Sequence, residues 1–488
     1  MSTAATHQLQ SLARITPLIE QARARSARLG RPILASLTAH LGPAPDYDPG
    51  QVIEQPDSFV WQQPQRGLAL AAAGHATRLI ASGESRFFDI QTQLQRLLDE
   101  AVSLQDSGAA LRPAPLCFAG FAFDPMQADD VAWFGFPEAL AILPRLLIAR
   151  SGAHLFFTAN LMVDAETDPA LGHDDLRDEL ERLLTPSPAN VADRSARLLD
   201  AGPEARAYWN DSVTALVERI SAGDAEKVVL ARRVQVESDG PFNPRAALSR
   251  LRERYRECTV FALRSGEDAC FLGATPEMLV ALSGRHVRAD CLAGSAARGA
   301  SDAEDAAIGK ALLADDKERR EHAIVARSLR EALAPLCADV RSPHGPDLRR
   351  FANVQHLHTP IEATTDGPRH VLELVQRLHP SAATAGLPRE ASLGLVRDHE
   401  PFSRGWYAGP IGWIDAEGGG EFAVALRSAL LRDDVASLYA GCGIVPGSDP
   451  DREYAESRLK LNAMLWALNA KSPLPEGEGR VRGERPID

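Results

Sequence analysis

The spacing of apolar positions changes along the chain, and each change marks an element. Around residues 116–123 and 143–150 the runs LCFAGFAF and LPRLLIAR are short and bounded by Gly, Pro or charge, which predicts strands. Beyond residue 200 a helical period sets in: Trp209, Val213, Leu216, Val217 and Ile220 recur on one face until Gly223 ends the pattern. The strand EKVVLARRVQV follows at once. Farther on, FALRSGEDACFLGA (261–274) and GWYAGPIGWIDAEGGGEFAVALRSALL (405–431) each read as two strands about a polar or glycine-rich turn. Long helices are expected over 303–334 and 450–468, the second beginning where Ser448, Asp449 and Pro450 supply a capping side chain and a first-turn proline. Hairpins with helices in runs between them favour an α+β fold of large antiparallel sheets with flanking helices over a doubly wound parallel sheet.

Length and composition bound what such a fold can do. At 488 residues and 45% hydrophobic content the chain can bury one large core or several smaller ones. The segment LLTPSPANVADRSARLL (183–199) reads as a linker, which places a boundary near residue 200 between an N-terminal part (1–200) and a catalytic region (201–470). The last residues, 471–488, carry Pro, Gly and charge without apolar periodicity and are expected to be a disordered tail. A net charge of −13 without a dense Lys/Arg stripe argues against nucleic acid as a partner, so an anionic ligand has to meet a local basic pocket. No run of 18 apolar residues and no secretory leader is evident, so a cytoplasmic protein with no membrane partner is expected. The six cysteines are scattered and read as small buried residues.

Several polar residues stand out against this background. In PDREYAESRLK the residues Glu453, Glu456 and Lys460 fall three and four apart, hence on one helix face. A surface Glu456–Lys460 pair explains two of them. Lys227 opens a strand apolar enough to be buried on both faces, so it either snorkels from the strand end or is a desolvated amine suited to general-base work. Glu277 follows a strand and a Thr-Pro turn among apolar neighbours, which suits a carboxyl of raised pKa or a first-turn helix glutamate. Glu321 flanks the apolar stripe of the 315–333 segment and, with Glu456, could give Mg²⁺ two oxygen ligands on rigid elements. Arg427 is placed on one strand with Ala423, Ala425 and Ala429, where a guanidinium has room for a carboxylate or for a cross-sheet partner. HLH (356–358) is a weak metal signal and a better pocket histidine, and GCGIVPG has the wrong glycine spacing for a dinucleotide site.

Taken in order, KVVLARR, FLGATPE, LAGS, KERREH, VQHLHTPI, LHPSAATAGLPRE, RGWYAGPIGW, GEFAVALRSALL and AGCGIVPGSDPDREYAESRLKL resemble the motif series of the chorismate-binding enzymes, over about residues 205–466. The resemblance implies two stacked antiparallel sheets with outer helices and a cleft that needs Mg²⁺. It implies Glu321 and Glu456 as metal ligands, with Glu453 supporting the ion, and Lys460, Arg427, Tyr407 and the backbone from Gly441 to Gly443 as contacts to substrate carboxylates. Gly294 and Ser295 of LAGS and His356 would line the pocket. Among family members, the stretch CLAGS lacks the nucleophilic lysine of the aminodeoxychorismate synthases. The presence of Lys227, and of Ala383 where anthranilate synthases tend to have threonine, implies water as the nucleophile. The activity implied is Mg²⁺-dependent conversion of chorismate to isochorismate, Lys227 acting as base and Glu277 as acid, in a monomer that serves menaquinone or siderophore synthesis. Further elimination of pyruvate to give salicylate is the nearest alternative; an anthranilate synthase large subunit or a non-catalytic chorismate-binding protein lies farther off.

Overall fold

The hairpins written into the sequence organise the observed structure, a computed structural model that describes residues 11–471 apart from 44–46, 107–113, 128–129, 188–193 and 200–201. Strands Thr259–Ser265 and Ala269–Thr275 pair antiparallel about their polar turn, and Pro410–Ile414 pairs with Gly420–Val424 about the glycine-rich one. Among the described residues 22 strands join one hydrogen-bonded network. Nearly all pairings are antiparallel; Val102–Gln105 against Ile33–Pro43 and Ala470–Lys471 against Ala196–Leu199 run parallel. The architecture is therefore the expected α+β arrangement of large antiparallel sheet and helices, with its strands in one continuous network.

Both faces of that network are covered. Along Thr259–Ser265, Phe261 and Leu263 point into one hydrophobic core while Val260 and Ala262 point into a second, as the period of two requires. Strands from before residue 200 belong to the same network: Ser58–Gln63 pairs with Thr259–Ser265, and Cys117–Phe121 pairs with Pro410–Ile414. Helix Asp316–Leu333 packs on strand His286–Ala297, and helix Pro450–Ala467 packs on Val435–Ile444. All six cysteines are buried and unbridged. No helix among the described residues is long and apolar enough to cross a membrane.

Two elements differ from their sequence expectation. The single helix over 303–334 is two helices, Asp302–Ala314 and Asp316–Leu333. Asp315 stands between them in extended conformation, and its side chain accepts hydrogen bonds from the N–H groups of Lys317 and Glu318. It is an N-cap, and it starts the second helix. The strand drawn through EFAVALRSALL is also two, Gly420–Val424 and Ser428–Arg432, with Arg427 at φ 49° in the corner between them. That corner is held because the Ala274 N–H donates to the Arg427 carbonyl. Residues 188–193 of the proposed linker and 200–201 at the boundary lie outside the described residues, as does nearly all of the tail; the ends of the linker segment are the close of helix Pro169–Leu184 and the strand Ala196–Leu199.

Candidate active site

One cleft gathers almost every residue singled out above. Lys227, Glu277, Gly294, Ser295, Glu321, His356, Ala383, Tyr407, Arg427, Gly441, Gly443, Glu456 and Lys460 all line it. Glu453 lies just behind, on the same helix, and is 1% exposed. Lys227 begins strand Lys227–Ser238 and does not snorkel: it is 1% exposed, and its ammonium sits 2.8 Å from Glu321 Oε1. The room for this pair comes from Gly443 on the neighbouring strand, where a Cβ would lie 2.2 Å from Glu321 Oε1 and 2.7 Å from Lys227 Cε. The sequence reading gave this loop's glycines a role in bringing backbone N–H groups to an anion; at Gly443 the structure uses the missing side chain to admit an ion pair.

Glu277 leaves the strand Ala269–Thr275 on a two-residue turn and is buried in the cleft wall. Burial pushes its carboxyl up to about 8, with Lys227 pulling the other way. A carboxylic acid that keeps its proton near neutrality can donate it, which is what a general acid needs. Tyr407, also buried, is raised to about 12 by the same cause and stays a neutral phenol.

Four carboxylates from two helices converge below the cleft. Glu318 and Glu321 come from the first turns of Asp316–Leu333, and Glu453 and Glu456 from those of Pro450–Ala467. Each has an ammonium beside it. Lys317 Nζ lies 2.9 Å from Glu453 Oε1 and 3.3 Å from Glu318 Oε1, and Lys460 Nζ lies 2.7 Å from Glu456 Oε1. The Glu456–Lys460 pair of the surface reading thus exists, yet in the cleft. Burial and like-charged neighbours raise Glu318 to about 6. Glu453 Oε2 is buried without a hydrogen-bond partner. Together with Glu456 and Cys442, Glu453 forms a group whose ligand atoms lie within 4.8 Å of one another. Burial pushes the Cys442 thiol well up, so it stays protonated and is a poor ligand. What remains is a set of hard oxygen donors with one buried acceptor free, which fits a cation such as Mg²⁺ rather than zinc.

On the opposite wall a short relay fixes a guanidinium. Arg427 Nη2 donates to His356 Nε2 at 3.3 Å, and His356 Nδ1 faces Ser295 Oγ at 3.0 Å and the Gly294 carbonyl at 3.3 Å. Burial and the Arg427 charge lower His356 to about 3, so the ring is neutral and can accept from the arginine. Arg427 has no ion-pair partner among the described residues. The left-handed corner turns it into the cleft, where an unpaired, partly buried guanidinium calls for an anion. The two histidines of HLH have separate partners, since His358 pairs with Asp290 at 2.8 Å.

Some residues of the site were not singled out from sequence. Glu318 and Lys317 sit within the quoted KERREH, but their place depended on the Asp315 break. Arg404, in RGWYAGPIGW, is 1% exposed and braces the site from behind. Its Nε donates to Glu400 Oε2 at 2.8 Å, Nη1 to the Thr384 carbonyl at 2.8 Å and Nη2 to the Val229 carbonyl at 2.7 Å. It thereby ties the Ala383 loop to the Lys227 strand. Glu400 in turn accepts from the Ala231 N–H at 2.7 Å. Glu400→Ala leaves a buried unpaired guanidinium, so a loss of about 3–5 kcal/mol in unfolding free energy is expected from urea titration. A loss below about 1 kcal/mol would show that the brace is dispensable.

Comparison with known proteins shows the family and the fold. The family model described as "Chorismate binding enzyme" matches residues 19–469. The chain belongs to the chorismate-binding enzyme family. It is 38% identical, over 96% of this chain and 97% of the other, to a salicylate biosynthesis isochorismate synthase of Pseudomonas aeruginosa. It is 33% identical to the isochorismate synthase MenF of Bacillus subtilis, over 85% of this chain and 88% of the other. Among solved structures, MenF, the menaquinone-specific isochorismate synthase from Escherichia coli, superposes with a TM-score of 0.73 at 25% identity, over 92% of this chain and 99% of that one. The family match runs through most of the first two hundred residues as well as the motif-bearing region.

Proposed function

We propose that this chorismate-binding enzyme converts chorismate to isochorismate, reversibly and with Mg²⁺, and releases the product without eliminating pyruvate. The observation that carries the reading is the meeting of Lys227 and the protonated Glu277 in one cleft whose far wall holds the unpaired Arg427. Arg427 would take a substrate carboxylate, with Tyr407 and the Lys460 ammonium nearby; Lys460 also donates to the Gly441 carbonyl at 2.8 Å. Glu321 and Glu456, helped by Glu453, would hold Mg²⁺, which would neutralise a ring carboxylate and, by engaging Glu321, relieve Lys227 of its ion pair.

Lys227, as the free amine, takes a proton from water while the water oxygen bonds to C2 of the ring. The ring double bonds shift, the C4–O bond breaks, and Glu277 gives its proton to the departing hydroxyl, which leaves as water. One proton is gained by Lys227 and one lost by Glu277, so the two exchange with solvent to reset. Ala383 leaves the cleft without the threonine hydroxyl that anthranilate synthases tend to carry there, and Lys227 supports water over ammonia as the nucleophile.

Product analysis tests the reading. Incubation with chorismate and Mg²⁺ near pH 7, followed by chromatography or NMR, is expected to give an equilibrium mixture of chorismate and isochorismate. Stoichiometric pyruvate with salicylate would replace the proposal by the lyase reading.

A further inference from the structure

Behind the catalytic strand lies a second cavity of about 460 Å³ that the proposed chemistry does not use. It is built between helices Gly202–Ser221 and Pro450–Ala467, over the back of strand Lys227–Ser238. Its walls are apolar and aromatic, with Trp209, Phe402, Leu461 and Leu465 among them. Among the described residues no Asp or Glu lines it, although the chain carries a net charge of −13. Arginines do. Arg232 stacks on the Tyr454 ring at 4.2 Å and donates through Nε to Ser457 Oγ at 2.7 Å. Neither Arg232 nor Arg458 has an ion-pair partner among the described residues. The other basic groups nearby are matched: Arg233 pairs with Asp130 at 2.8 Å, and Arg206 with Asp451. A partly buried guanidinium normally finds a carboxylate in its own protein, because taking the charge out of water is costly. Two that do not, at the mouth of an apolar cavity of metabolite size, describe a receptor for an amphiphilic anion.

We propose that this cavity is a second small-molecule site, for a planar ring carboxylate, and that its occupancy is felt in the catalytic cleft. The ring would be held between the aromatic and leucine walls, and the carboxylate by Arg232 and Arg458. Coupling follows from the two elements that the sites share. Strand Lys227–Ser238 sends Lys227 and Val229 into the cleft and Leu230, Arg232 and Val234 into the cavity. Helix Pro450–Ala467 sends Glu456 and Lys460 to the cleft and Tyr454, Arg458 and Leu461 to the cavity. The Arg232–Ser457 hydrogen bond joins them one residue from Glu456. A ligand that pulls Arg232 away from Ser457 has a direct purchase on the helix that carries the acid cluster. The binding claim does not depend on which reaction the cleft performs.

The probe is 2-naphthoate, with 2-naphthylmethanol as the uncharged control, measured by calorimetry on the full chain and by its effect on chorismate turnover. Naphthoate is expected to bind, and to lower kcat in a mixed rather than purely competitive pattern. Arg458→Gln should weaken this binding by about tenfold, as loss of a charged hydrogen bond does, and Ala205→Trp should fill the cavity and abolish it. Both variants are expected to keep wild-type thermal unfolding and wild-type turnover without naphthoate. Binding that both variants leave unchanged, or inhibition that is purely competitive, would place the ring acid in the catalytic cleft and overturn the proposal. So would an absence of binding at millimolar concentrations, or equal binding of the uncharged control.

Discussion

Lys227→Gln is expected to lower kcat by on the order of 10²-fold or more while the KM for chorismate changes little, because it removes the proposed proton acceptor and leaves the proposed carboxylate contacts in place. Glu277→Gln should do the same from the other side of the reaction. The roles exchange when isochorismate is the substrate, so each variant is expected to be impaired in both directions. The pH profile adds an independent sign. Glu277 is raised from 4.5 to about 8, so its proton is present below that value and lost as pH rises through it. The forward kcat/KM of the wild type is therefore expected to fall on the alkaline side of about 8, and that limb should vanish in Glu277→Gln. The same raised value means that stability falls as pH rises from about 4.5 to about 8, and the full loss is present above that, so Glu277→Gln should be the more stable protein at alkaline pH. Rates are measured from both substrates. Near-normal kcat in either variant would remove that residue from the chemistry.

How much of this arrangement the sequence carries depends on whether the signal is local. The helix over 450–467 was legible because its cap, its proline and the three-and-four spacing of its charges are all short-range: the Asp449 side chain accepts from the Arg452 N–H at 3.0 Å, with Pro450 at the first position. The hairpins were legible for the same reason. Arg427 was singled out, but on the wrong backbone. An alternating run of apolar residues looks the same whether it continues or turns a corner, and the corner here is dictated by the neighbouring strand. At Gly273 a Cβ would sit 2.7 Å from the Arg427 carbonyl, so the close approach needs a glycine some 150 residues away.

The Asp315 break is a different case. An aspartate after ALLA, two residues before Lys317, is a legible N-cap, but a sustained helical period on both sides masks it. Overlooking the break hid the consequence that Lys317 and Glu318 fall in a first turn pointing at Glu453. The Arg404–Glu400 brace had no signal at all from residue type, since an i,i+4 Glu–Arg pair reads as a solvated helix face. Only the fold shows that both are buried, the arginine at 1% exposure and the glutamate at 7%.

Removal of divalent cations is expected to abolish turnover altogether, and added Mg²⁺ to restore it. The acid cluster explains why. Burial, with the charges of Glu321 and Glu456, raises Glu318 to about 6, and three lysines are drawn in to offset the four carboxylates Glu318, Glu321, Glu453 and Glu456. In that condition Lys227 is held as an ion pair with Glu321 and is not available as a base, whereas a bound Mg²⁺ would take over the charge that Lys227 now balances. Glu456→Gln should therefore weaken Mg²⁺ binding, read by calorimetry without substrate, and leave thermal unfolding in metal-free buffer nearly unchanged. Lys317→Gln makes the complementary case. It removes the ammonium that spans Glu318 and Glu453, so Mg²⁺ should bind more tightly, by up to about tenfold for the loss of one competing charge-assisted contact. Tighter binding in Lys317→Gln with weaker binding in Glu456→Gln would locate the ion among these four carboxylates. Full turnover in EDTA, or unchanged affinity in both variants, would mean that the lysines alone neutralise the cluster and that the substrate carboxylate is met by Arg427 and Lys460 without an ion.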